Sequence, residues 1–266
     1  MKLLLALLAT ALCASAALPP DEAKAVFEEG NSLFRQANEA SVSDPQQAYD
    51  LYRRSALRYE RLIDEGGIQN GRLYYNLGNA YFRMDDLGRA ILNYRRAERF
   101  LPGDSDIRQN LESARSRRLD RFELETREKA LRTLLFWHYD LSFALRRLLL
   151  AVCSGAFWGL LIWTTIGRKR IPRAALLGAG LAALSLAISL GAEAAGAASS
   201  NEGVVTAPET VARKGDGETY EQAFTEPLHA GAEFRLLEQR SGWYRGELPD
   251  GRAFWVAARD AELVRR

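Results

Sequence analysis

Three kinds of hydrophobic pattern follow one another along the chain. Residues 21–134 place apolar side chains every three or four positions among Ala, Leu, Arg and Glu, the spacing of amphipathic helices. Residues 148–167 and 174–192 then run for 20 and 19 positions without a charge, each long enough for a helix to cross about 30 Å of hydrocarbon. Beyond them the period falls to two. Strands are predicted at 210–213, 233–237, 243–248 and 253–256, separated by turns at Gly215-Asp216-Gly217, Ser241-Gly242 and Pro249-Asp250-Gly251. The expected fold class is therefore a multidomain membrane protein: an all-α array, two transmembrane helices and a small all-β barrel.

The two ends of the membrane reading support each other. Met1-Lys2, the apolar run of residues 3–14 and the small residues Ala14 to Ala17 have the charge, length and cleavage chemistry of a secretory signal peptide, here assigned to residues 1–17. Twelve apolar residues are too few to span. The loop 168–173, Arg168-Lys169-Arg170-Ile171-Pro172-Arg173, carries four cations, and the positive-inside bias assigns it to the cytoplasm. The regions before and after the hairpin then face outward, as a signal peptide also requires. In a bacterium this is the inner membrane with both terminal domains in the periplasm. Trp137, His138 and Tyr139 read as an interfacial aromatic belt, and residues 193–203 as a linker leaving the membrane.

The helical region contains a repeat. Gly30-Asn31-Ser32-Leu33-Phe34-Arg35 returns as Gly78-Asn79-Ala80-Tyr81-Phe82-Arg83. Around the second copy, Tyr74, Leu77, Gly78, Tyr81, Ala90, Tyr94, Ala97 and Pro102 fall where the tetratricopeptide pattern has its aromatic, Leu, Gly and Ala positions and its closing Pro. The region 21–134 thus resembles a tetratricopeptide repeat domain. Small residues at 78 and 90 let two helices cross closely, and tyrosines fill the space around them. The first copy matches at Gly30, Leu33, Ala48 and Tyr52, with six extra residues expected to lengthen its turn. Residues 106–134 read as a charged capping helix, with Asp104 as its N-cap. The resemblance implies a peptide-binding groove on the first helix of each repeat. In this register Phe27, Asn31, Phe34 and Arg35 align with Tyr75, Asn79, Phe82 and Arg83. Asn amides suit a ligand backbone and Arg a carboxylate, while Phe34 and Phe82 equally suit packing between helices. Aromatic residues at 27 and 75 replace the Lys of a strict carboxylate clamp.

In the C-terminal region, Val211, Arg213, Gly215, Gly231, Leu236, Gly242-Trp243-Tyr244, Asp250-Gly251, Trp255-Val256 and Leu263 resemble the bacterial SH3 domain family, over residues 204–266. Phe254 departs from it, standing where that family has Gly. The resemblance implies an aromatic cleft for peptides or cell-wall glycopeptides built from Trp243, Tyr244 and Trp255; the other reading makes Trp243 and Trp255 core residues that close the barrel. His229 reads as a surface turn residue.

Composition narrows the function. Lys and Arg total 36 against 34 Asp and Glu, a net charge of +2, which gives no field for nucleic acid. The two cysteines, Cys13 and Cys153, both sit in apolar runs and supply neither a disulfide framework nor a thiolate zinc site. With only His138 and His229 as histidines and no phosphate-binding loop, nothing points to catalysis, a metal or a cofactor. The order of signal peptide, repeats, membrane hairpin with a basic loop and SH3-like barrel resembles the BatE-type proteins of bacterial aerotolerance operons. That resemblance implies a non-enzymatic inner-membrane scaffold that displays periplasmic protein-binding modules in envelope stress or aerotolerance. Its implied partners are membrane or periplasmic proteins, among them von Willebrand factor A-type membrane proteins, in a setting that also includes MoxR-type ATPases. The alternative is a cell-wall-binding sensor whose SH3-like domain recognises peptidoglycan peptides.

Overall fold

The computed structural model of the chain describes residues 18–122, 131, 133–139, 141–166, 173–199 and 201–265. The expected signal peptide (1–17) and the basic loop, apart from Arg173, lie outside the described residues. The chain divides into two compact units, Met1–Gln69 and Asn70–Arg266.

The first unit is a helical hairpin of α1 (Pro20–Ala40) and α2 (Pro45–Asp64). Both helices open on a proline, whose missing amide is no loss in the first turn, and the Asp44 carboxylate caps α2 by accepting from the Gln47 amide at 2.9 Å. Val26, Leu33 and Ala37 of α1 are buried, as are Leu51, Ala56, Tyr59 and Leu62 of α2. Gly30 fixes the crossing: a Cβ there would lie 2.8 Å from the Tyr59 ring. Tyr59 donates from Oη to Asn31 Oδ1 at 2.8 Å, and Ser55 Oγ donates to the Gly30 carbonyl at 2.8 Å.

The second unit opens with a matching hairpin, α3 (Gly71–Arg83) and α4 (Leu87–Phe100), followed by α5 (Ser105–Arg117). Asn70, Asp86 and Asp104 cap them with side-chain oxygens that accept backbone amides, so the expected N-cap at Asp104 is found. A Cβ on Gly78 would stand 2.7 Å from the Tyr94 ring, and Tyr94 Oη donates to Asn79 Oδ1 at 2.8 Å. The Gly-Asn pair of each copy is thus locked by one tyrosine of the following helix. In the first copy that tyrosine is Tyr59, not the expected Tyr52. Tyr59 follows Gly30 by 29 residues and Tyr94 follows Gly78 by 16, so the first copy carries 13 extra residues. They lengthen α1 and α2 to 21 and 20 residues, against 13 and 14 in α3 and α4; the turn is not expanded as the sequence reading expected.

Next come the single turn α6 (Phe136–Tyr139) and two long helices, α7 (Phe143–Ile166) and α8 (Arg173–Ser199). Two stretches of these are long and apolar enough to cross a membrane: 24 residues of α7, and 21 residues, Arg173–Glu193, of α8. They pack side by side, with Phe157 against Gly180, where a Cβ would be 3.2 Å from the ring.

A small antiparallel sheet completes the unit: β1 (Glu202–Val205), β4 (Glu233–Arg240), β5 (Trp243–Glu247), β6 (Ala253–Ala257) and β7 (Ala261–Leu263), in the order β6-β5-β4-β1-β7. A two-stranded ribbon, β2 (Glu209–Thr210) with β3 (Leu228–His229), joins it. Three of the predicted strands are found with shifted ends; of 210–213 only Thr210 lies in a strand, β2, with Arg213 in an isolated bridge, and β1, β3 and β7 were not read from the pattern. The stretch 193–203, expected as a linker, is helix as far as Ser199 and strand from Glu202. Its Ala-rich composition favours helix, and Val204-Val205 supplies the buried middle of the sheet. Phe254 fills the core beneath the sheet between Phe224 and Phe234, with ring centroids 5.7 and 5.6 Å away. Gly246, opposite Phe254 in the ladder, makes room: a Cβ there would be 2.6 Å from Phe234. The bulk of Phe254 is therefore accommodated across the strand pair.

Candidate functional site

Within the second unit, α4 and α5 meet the sheet in a charged seam. α4 is buried on nearly every side, including Ile91, Leu92, Tyr94 and Ala97, because α3 covers one face and the sheet another. Gly88 lets β1 approach: a Cβ there would stand 2.7 Å from the Val205 carbonyl oxygen. Glu233 of β4 is the hub. Its carboxylate accepts from Arg115 Nε and Nη2 at 2.8 and 2.7 Å and from Arg118 Nη1 at 3.0 Å, and Arg95 Nε lies 3.6 Å away. Burial pushes the Glu233 carboxyl up. The hydrogen bond from Arg115 and the charges of Arg115, Arg95 and Arg118 outweigh that, so the net displacement is below the usual carboxylate range. Arg95 also pairs with Glu98 and Glu202; burial lowers its affinity for the proton, and these carboxylates more than restore it.

Two further arginines close the sheet edge. Arg96 Nη2 donates to the Leu263 carbonyl at 2.9 Å and to Glu262 at 3.0 Å, and Arg99 Nη1 donates to the Val264 carbonyl at 3.3 Å. Carbonyls of the outer strand β7 are thereby satisfied by a helix, one of the ways proteins protect an edge. The chain after α5 joins the same seam. The capping helix, expected to continue to residue 134, ends at Arg117, and Arg118 turns extended (φ −65°, ψ 150°). Asp120 then accepts from the His229 amide at 2.7 Å and lies 2.8 Å from its Nδ1, while Phe122 packs on the barrel core. His229 is therefore a clasp residue and not a surface turn. A cleft of about 450 Å³ opens beside it, with Asp85, Arg89, Thr206, Pro208, His229 and Arg259 among its lining residues.

The residues selected from sequence fall into three groups. On α1, Phe27 lies 6.0 Å from the Tyr59 ring and Phe34 5.3 Å from Tyr52; Asn31 accepts from Tyr59, and Arg35 is exposed. On α3, Tyr75 accepts from Asn110 Nδ2 at 3.1 Å and packs 6.1 Å from Tyr94. Asn79 Oδ1 accepts from both Tyr94 and Asn110, while no bond from its Nδ2 falls among the described residues. Phe82 lies under the Arg117 guanidinium at 5.0 Å, and Arg83 is exposed without an ion pair among the described residues. Burial first of all, and the neighbouring Tyr75, raise the Tyr94 hydroxyl above the usual range, so it stays a neutral donor to Asn79. The Asn of each copy thus braces its own hairpin through Oδ1.

In the sheet, Trp243, Tyr244 and Trp255 do not share one surface. Trp243 pairs with Ala257 and Arg245 with Trp255, whereas Tyr244 pairs with Val256. Alternation along β5 puts Tyr244 on the core face, against the cluster of Phe234, Phe254 and Val256, and Trp243 and Trp255 on the other. Trp255 is buried and capped by the Arg240 guanidinium at 4.9 Å.

A second charged cluster stands where α7 begins. Arg146 is 2% exposed. It pairs with Glu193 of α8, and its Nη1 donates to Ser189 Oγ at 2.9 Å. Ser189 also lies 2.8 Å from His138 Nδ1, so the belt histidine is tied into the hairpin.

No protein-family model matches this chain, and neither a curated protein nor a solved structure matches it significantly.

Proposed function

We propose that this protein is a non-enzymatic, membrane-anchored adaptor of the tetratricopeptide and SH3-like type, in which α3 to α5 and the sheet work as one partner-binding body. The carrying observation is the seam: α4 and α5 precede the two candidate spans, the sheet follows them, and Glu233, Arg96 and Asp120 bind the two sides together. Segments so joined share one side of a membrane, as an even number of crossings requires. The charge of loop 168–173 and the signal-like N-terminus favour the outer face, in a bacterium the periplasm.

Within that body the face of α3 suits an extended peptide. Asn79 Nδ2 is a ready amide donor, Arg83 a free cation for an acidic side chain, and Tyr75 an adjoining ring. Resemblance to BatE-type proteins makes a membrane protein with a von Willebrand factor A domain the leading partner.

Topology and partner are tested together in living cells. Alkaline phosphatase fused after Gly215 is expected to be active and fused at Pro172 inactive; the opposite pattern overturns the orientation. A photocrosslinker at Arg83 is expected to trap a membrane-associated protein. Recovery of peptidoglycan fragments instead would move the assignment to the cell-wall sensor.

A further inference from the structure

We propose that the base of the α7–α8 hairpin is a binding site for the phosphate of an anionic phospholipid headgroup. The proposal rests on the membrane reading of the two helices. Two guanidinium groups converge there on one carboxylate: Arg146 pairs with Glu193, and Arg108 Nη2 of α5 lies 3.7 Å from the same Glu193. Phe143 gathers Arg146 and its chain neighbour Arg147, with its ring 5.9 Å from the Arg146 guanidinium and 5.0 Å from that of Arg147. The ring itself is seated on Gly103, in the α4–α5 turn.

Among the described residues, charge at this point does not cancel. Glu193 answers one arginine fully and a second at longer range, while Arg147 is exposed and has no carboxylate among the described residues. The nearby Asp104 carboxylate is engaged by the Asp106 and Ile107 amides at 3.0 and 3.2 Å. Inside the cluster the Nε of Arg146 is buried with no hydrogen-bond partner among the described residues, an open donor in a side chain otherwise enclosed.

Position selects the ligand. Phe143 begins one candidate span and Glu193 ends the other, so the surplus cation lies at headgroup depth. Leu145 and Leu148, both exposed, flank it on the side that acyl chains would occupy. A phosphodiester takes parallel hydrogen bonds from guanidinium, and a headgroup with net negative charge meets the surplus that a choline would oppose.

Native mass spectrometry of the full-length chain in detergent, titrated with phosphatidylglycerol or phosphatidylcholine, tests this. Phosphatidylglycerol is expected to be retained roughly tenfold better, the advantage of one or two charge-assisted hydrogen bonds. The combined change Arg108→Gln and Arg147→Gln is expected to remove most of that preference, while Arg147→Lys keeps part of it. Equal retention of the two lipids by the unaltered chain overturns the proposal without recourse to any variant. So does an unchanged preference in the double variant, or stripping of bound lipid by millimolar inorganic phosphate, which would assign the site to a free anion. Failure of the membrane reading is seen separately, as release of the unaltered chain from membranes by alkaline carbonate.

Discussion

Replacing Glu233 with Gln tests the seam while keeping its shape. The amide occupies the same volume but carries no charge, so the carboxylate's bonds to Arg115 and Arg118 and its attraction to Arg95 weaken together. Losing one partner of a buried ion pair costs about 3–5 kcal/mol. Here Arg95 keeps Glu98 and Glu202, and Arg115 keeps Glu112, so the full penalty falls on Arg118 alone. The expected loss is about 2–3 kcal/mol, or roughly 4–10 °C in a unit of this size. Because native Glu233 titrates below its ordinary value of 4.5, its contribution is complete above that pH and fades as the pH falls through the lower folded value. The gap between native and variant chains should therefore close in acid. Hydrogen exchange of the detergent-solubilised chain provides the local readout: faster exchange at Gly203, Phe234 and Arg118 at neutral pH, with the α7–α8 hairpin unaffected. Unchanged exchange at these amides would refute the reasoning, since the seam would then be held by apolar contact without its charges.

Two further changes separate bracing from binding. Gly78→Leu drives a branched side chain into the Tyr94 ring, already 2.7 Å from where a Cβ would stand, and is expected to cost about 1–3 kcal/mol or more in thermal unfolding; an unchanged midpoint would contradict this crossing. Asn79→Ala strands the hydroxyl of Tyr94 and leaves the Asn110 amide with Tyr75 alone and is expected to lower stability by about 1–3 kcal/mol, whereas Arg83→Ala is expected to leave the melting temperature within error and to weaken only the photocrosslinked partner.

What could be read from the sequence was whatever lies in local periodicity. Gly78, Tyr94 and the cap at Asp104 follow from spacing along one or two helices, and the charge-free runs announce themselves. The first copy defeated that approach because its insertion adds length within regular helix, and Tyr52 and Tyr59, seven residues apart, present nearly the same helix face. The seam was illegible for a different reason: Glu233 and Arg115 are 118 residues apart, and no pattern on either side names its counterpart. One hint was present. Ile91-Leu92 next to Asn93 and Arg96 breaks the single apolar stripe of an exposed helix, which signals cover on a second face without saying by what. The three barrel aromatics were grouped as neighbours in sequence, where strand alternation separates Tyr244 from the two tryptophans.

The place of β1 has a consequence for how the protein is made. This strand leaves the ribosome first among those of the sheet, directly behind α8, yet its two neighbours are β4 and the last-synthesised β7. Until both emerge, one or both of its edges stay open, and Arg96 and Arg99 wait on α4 without the carbonyls they cap. Closure is thus a late event that reports on an earlier one, the folding of α4. A polypeptide that stops after β6 would carry an open β1 edge and unmatched arginines, a form that proteolytic surveillance can distinguish from the closed sheet.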